Sequence, residues 1–125
     1  MKVLIVNFGS RRGGASQSAH RLFKSLLENN IESKMLIKNY DPDSLDSKFY
    51  IQQKNWFINF YNKLLNFIEI LLIKILGKPK NNFSYSLFGS FGITKMINDY
   101  DPDIVNLHWV AGNMLSVNDI RKIKA

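Results

Sequence analysis

The chain has 125 residues, 46% of them hydrophobic, no cysteine, and a formal charge of +7 from 17 Lys+Arg against 10 Asp+Glu. That apolar content excludes a disordered tail and suits one domain or a piece of one, while the lack of cysteine excludes a disulfide framework or a thiolate metal site, and two histidines leave little for any other metal cluster. The charge favours anionic partners such as lipid headgroups or phosphorylated ligands, but no helix-turn-helix, zinc or aromatic RNA-binding signature accompanies it, so nucleic acid is not an expected partner.

Residues 3 to 6 are Val-Leu-Ile-Val, an unbroken apolar run of strand length that suits a parallel strand covered on both faces. No charged leader or apolar signal segment precedes it, so a cytoplasmic protein is expected. The turn after this strand holds Gly9, Gly13 and Gly14, residues that tolerate positive φ and let a ligand come close to the backbone. Ala15, Ala19, Leu22, Phe23, Leu26 and Leu27 then form the stripe of an amphipathic helix, with Ser16 or Ser18 as its cap and Asn29-Asn30 as its end. Strand, small-residue turn and helix N-terminus together read as the phosphate-binding end of an α/β sheet.

Residues 33 to 38, Ser-Lys-Met-Leu-Ile-Lys, are a second strand, which completes a βαβ unit. A turn around Pro42 follows, and residues 48 to 53 read as a short strand or an irregular segment. A dinucleotide-binding oxidoreductase is disfavoured, because the glycines lack the Gly-x-Gly-x-x-Gly spacing and Lys38 stands where an acidic ribose ligand belongs.

Trp56 to Leu76 reads as a helix, the centre of an apolar insertion at about 54–78. Its polar residues Asn59, Asn62, Lys63, Asn66, Glu69 and Lys74 share one narrow face, and their number weighs against a membrane span. Two uses are open for the wide apolar face. It packs on its own or another domain, or it is an interfacial surface for an anionic membrane, an amphiphilic acceptor or a second copy, as Trp56, the aromatic cluster and the flanking lysines suggest. A non-catalytic module docking through this helix is the alternative function.

Gly77 and Pro79 close the helix. Residues 81 to 92 read as a loop with apolar anchors Phe83, Leu87, Phe88 and Phe91, and Ile93, Met96 and Ile97 as a short helix stopped by Asp99-Tyr-Asp-Pro102. Residues 103 to 109, Asp-Ile-Val-Asn-Leu-His-Trp, read as a further strand of the sheet and deliver His108 and Trp109 at its C-terminal end, where open α/β sheets place ligands. Ser116 and Asp119 have the spacing of a capping box. The helix they open has barely begun at Ala125, so a fragment is expected.

The order of these pieces, with Gly13-Gly-Ala15 opening a helix after the first strand and Leu107-His-Trp109 followed by Gly112-Asn-Met-Leu-Ser116, resembles the N-terminal half of family 4 glycosyltransferases. The resemblance covers the whole chain, with residues 45 to 82 alike only in character. It implies an α/β, Rossmann-like parallel sheet with flanking helices, the acceptor-side half of a GT-B architecture whose nucleotide-sugar-binding C-terminal domain is missing here. It further implies retaining transfer of a sugar from a nucleotide-sugar donor to a glycan or lipid-linked acceptor, in bacterial cell-surface polysaccharide assembly, without a metal or other cofactor. This piece alone is then expected to be inactive. By the resemblance Gly13, Gly14 and Ala15 lie near the donor diphosphate, His108 is the catalytic candidate at the donor sugar, and Trp109 and Asn113 line the acceptor side. Trp109 reads equally well as a core residue, and Asn106 stands where many relatives carry a second histidine.

Overall fold

The computed structural model describes residues 1–9, 13–39, 50–51, 56–76 and 86–124. Parallel strands β1 (Lys2–Gly9), β2 (Glu32–Asn39), β3 (Tyr50–Ile51) and β4 (Ile104–Leu107) make one sheet in the order β3-β2-β1-β4. The helices among the described residues are α1 (Gly14–Glu28), α2 (Trp56–Leu76), α3 (Ile93–Tyr100) and α4 (Val117–Ile120). The chain is therefore an α/β protein built on a parallel sheet flanked by helices. The readings at Pro42, Gly77, Pro79 and Phe83 lie outside the described residues.

Two-residue alternation explains why β1 is the central strand. Leu4 and Val6, with Leu36 of β2, pack on one face against Ile93 and Ile97 of α3 and against Met114 and Leu115. Val3 and Ile5, with Met35 and Ile37, pack on the other against Ala19 and Phe23 of α1. A strand with both faces covered needs apolar side chains at every position, and the run at 3 to 6 supplies them. Full burial of each such side chain stabilises the fold by about 1.5–3 kcal/mol.

Three local expectations are corrected. Helix α1 has Gly13 as its N-cap and no side-chain cap, so neither Ser16 nor Ser18 caps it; Ser16 lies inside the helix, buried, and accepts a hydrogen bond from Asn7 instead. The strand expected over 103–109 is four residues long, and His108 and Trp109 follow it rather than ending it. In the loop before α3, Leu87 and Phe91 are exposed rather than anchored, although the Phe91 ring packs edge-on against Tyr61 with centroids 5.6 Å apart.

The helix at 56 to 76 has the expected bounds but the reverse of the packed orientation. Its inward stripe is Ile58, Asn62, Leu65, Glu69, Leu72 and Ile73, and Glu69 is the one buried residue of the helix. Asn62 Oδ1 accepts from the Phe91 N–H at 3.0 Å, Glu69 Oε1 accepts from the Ser86 N–H at 3.2 Å, and Asn66 Oδ1 accepts from Asn113 Nδ2 at 2.7 Å. The domain thus offers N–H donors where α2 sits, and the helix answers with its acceptors. Most of its large apolar side chains consequently face away from the domain and are exposed.

Candidate functional site

A parallel sheet places the C-terminal ends of all its strands at one edge, so the glycine turn after β1, Lys38 near the end of β2 and His108 after β4 share that edge. Asn7 joins two of these parts. Its fully buried side chain donates from Nδ2 to the Gly9 carbonyl at 2.6 Å and to Ser16 Oγ at 3.0 Å, while Oδ1 accepts from the Trp109 N–H at 3.2 Å. One amide therefore ties the end of β1, the first turn of α1 and the segment after β4.

Among the described residues nothing covers the α1 N-terminus. Gly13 has φ 91°, which a residue with a side chain adopts only at a cost, and a Cβ at either Gly13 or Gly14 meets no atom within 4 Å. The first intrahelical bond runs from the Gln17 N–H to the Gly13 carbonyl at 3.1 Å, which leaves the N–H groups of Gly14, Ala15 and Ser16 outside the helical ladder. Oriented N–H groups at a helix start, with space before them, can receive an anion.

His108 and Trp109 are held by backbone. The His108 N–H donates to the Val6 carbonyl at 3.0 Å and the Phe8 N–H to the Trp109 carbonyl at 2.8 Å, so pairing with β1 outlasts the strand. The His108 ring is half-buried, and its Nε2 atom is buried with no hydrogen-bond partner among the described residues. A buried ring nitrogen without a partner is costly unless a ligand or water completes it. The Trp109 ring packs against Phe8 at 5.9 Å yet remains 52% exposed, so it is not a core residue.

Beside this lies a cleft of about 290 Å³ between β2 and α2, lined by Leu36, Ile37, Lys38, Asn59, Asn62, Lys63, Asn66 and Ile93. Lys38 Nζ donates to the carbonyls of Gly112 at 2.9 Å and Asn113 at 2.7 Å. Burial lowers its pKa to about 8, partly opposed by the Glu69 carboxylate. Asn113 is buried at φ 56°, and its carbonyl also accepts from Ser90 Oγ at 2.7 Å. Asn113 accordingly holds the loop in place through its backbone and Nδ2, while its buried Oδ1 has no partner among the described residues.

The structure thus assembles Gly13, Gly14, Ala15, His108 and Trp109 along one sheet edge and sets Asn113 behind it. Asn7 and the cleft face of α2 are additions. The signal for Asn7 was a polar residue directly after an apolar run; the signal for the cleft was the spacing of Asn59, Asn62 and Asn66 on α2. Comparison with protein-family models, curated proteins and solved structures finds no match to this chain.

Proposed function

We propose that this chain is the N-terminal, acceptor-side half of a retaining GT-B glycosyltransferase, moving a sugar from a nucleotide-sugar donor to a glycan or lipid-linked acceptor in cell-surface polysaccharide assembly. The observation that best supports this reading is the Asn7 side chain, which links the uncapped start of α1 to the segment carrying His108, whose Nε2 is buried without a partner among the described residues. In this reading the free N–H groups of Gly14 and Ala15 stabilise the donor diphosphate as charge develops on it. His108 Nε2 hydrogen-bonds the donor sugar and positions its anomeric carbon. Trp109, exposed beside Phe8, offers a ring face to the acceptor. By the same family resemblance no metal is expected, and the missing C-terminal domain supplies most of the donor phosphate contacts.

The test is nucleoside diphosphate release by the protein carrying this chain together with a second Rossmann-like domain, across a panel of nucleotide sugars. Turnover with one donor, lost by a factor of roughly 100 or more in His108→Ala with unchanged folding, is the expected result. Turnover unaffected by that substitution would remove His108 from the site. Absence of turnover with every donor would remove the transferase assignment.

A further inference from the structure

We infer that α2 lies flat on an anionic lipid surface, its apolar face in the acyl boundary and its polar face on the domain. Its outward face carries Trp56, Phe57, Phe60, Leu64, Phe67 and Leu71, all between 46% and 66% exposed. Side chains of this size and number, contiguous on one helix face, are a binding surface rather than ordinary exposure. The helix cannot turn that face inward without giving up the hydrogen bonds that Asn62, Asn66 and Glu69 make to the domain.

Charge decides which occupant fits. Glu69, the acidic residue of α2, points inward and is buried, whereas Lys63 and Lys74 are exposed. Lys54, Lys78 and Lys80 flank the helix in sequence. The exposed charge on α2 is therefore entirely positive and the sequence on either side adds only lysine, which an anionic bilayer complements. A symmetric pairing of two copies through α2 would instead bring like charges together. No described helix is long and apolar enough to cross a membrane, and a helix lying in the interface needs no such length. Trp56 at one end gives an amphipathic ring of the kind that settles at headgroup level. This inference is independent of the transferase reading.

The experiment is co-sedimentation of the 125-residue chain with phosphatidylcholine vesicles made with and without phosphatidylglycerol. Emission of Trp56 is followed in a Trp109→Phe background, so that one indole reports. The expected result is binding that requires phosphatidylglycerol, a blue shift of Trp56, and at least tenfold weaker binding by the Phe60→Glu/Phe67→Glu variant. Both substituted residues are exposed, and circular dichroism checks that the variant keeps its fold. Equal binding to neutral vesicles, binding unaffected by the double variant, or no vesicle binding, with or without a dimer that the same variant dissolves, would each overturn the inference.

Discussion

Asn7 and Ser16, nine residues apart on β1 and α1, hydrogen-bond side chain to side chain at 3.0 Å, with both residues buried. Because Asn7 also holds Gly9 and the Trp109 N–H, Asn7→Ala should cost about 2–4 kcal/mol in urea denaturation, leaving buried donors and acceptors unpaired. Ser16→Ala should cost only about 1 kcal/mol, since Asn7 Nδ2 keeps the Gly9 carbonyl. The double variant should lose less than the sum of the two, and strict additivity would show that the 3.0 Å contact carries no coupling.

Lys38 should titrate near 8 rather than 10.5, because burial penalises its charged form. The unfolded chain then binds this proton more tightly than the folded one. Burial of the charge opposes folding in full below about pH 8, and the penalty is relieved as pH rises from about 8 to 10.5. Lysine 13Cε NMR gives the midpoint directly. Compared with Lys38→Met, the native chain should gain stability across that window; parallel pH profiles would contradict the shift.

The glycines divide by what surrounds them. Gly112 has φ 67°, and a Cβ there lies 2.9 Å from the Phe8 ring, so Gly112→Ala should destabilise by about 2 kcal/mol or more through strain and overpacking. Gly14 is helical and open, so Gly14→Ala should be neutral or stabilising by up to about 1 kcal/mol. If the transferase reading holds, the same alanine lowers turnover without lowering Tm, which separates a ligand-facing glycine from a folding one.

Gly89 answers to the capping box. The Ser116 hydroxyl accepts from the Asp119 N–H while Asp119 accepts from the Ser116 N–H, and a Cβ at Gly89 would fall on the Asp119 carboxylate. Gly89→Ala should therefore displace that carboxylate and cost at least the roughly 1 kcal/mol of losing the cap. Combined with Asp119→Ala, which clears the space, the loss should shrink below the sum. Thermal melts of the three variants measure this.

Much of this fold is legible in the sequence because periodicity and burial agree in it. The run at 3 to 6, the stripe from Ala19 to Leu27 and the box at Ser116 and Asp119 each specify a local structure that the tertiary fold keeps. The orientation of α2 was not legible, since an apolar face predicts burial but not against what, and the N–H donors of Ser86 and Phe91 that fix it belong to a loop without pattern. At the site, the positions of Gly13 and His108 followed from strand ends. The roles of Asn7 and Asn113 required knowing which buried carbonyls and N–H groups lacked a partner in the backbone ladder.

The outward apolar face of α2 has a thermodynamic consequence. Heat capacity rises on unfolding because apolar surface becomes hydrated, and most of this face is already hydrated in the folded chain. Melting α2 therefore adds little to that heat capacity change or to the denaturant m-value. By calorimetry the chain should behave as a protein smaller than its 125 residues, with a flatter stability curve, until a surface covers the helix.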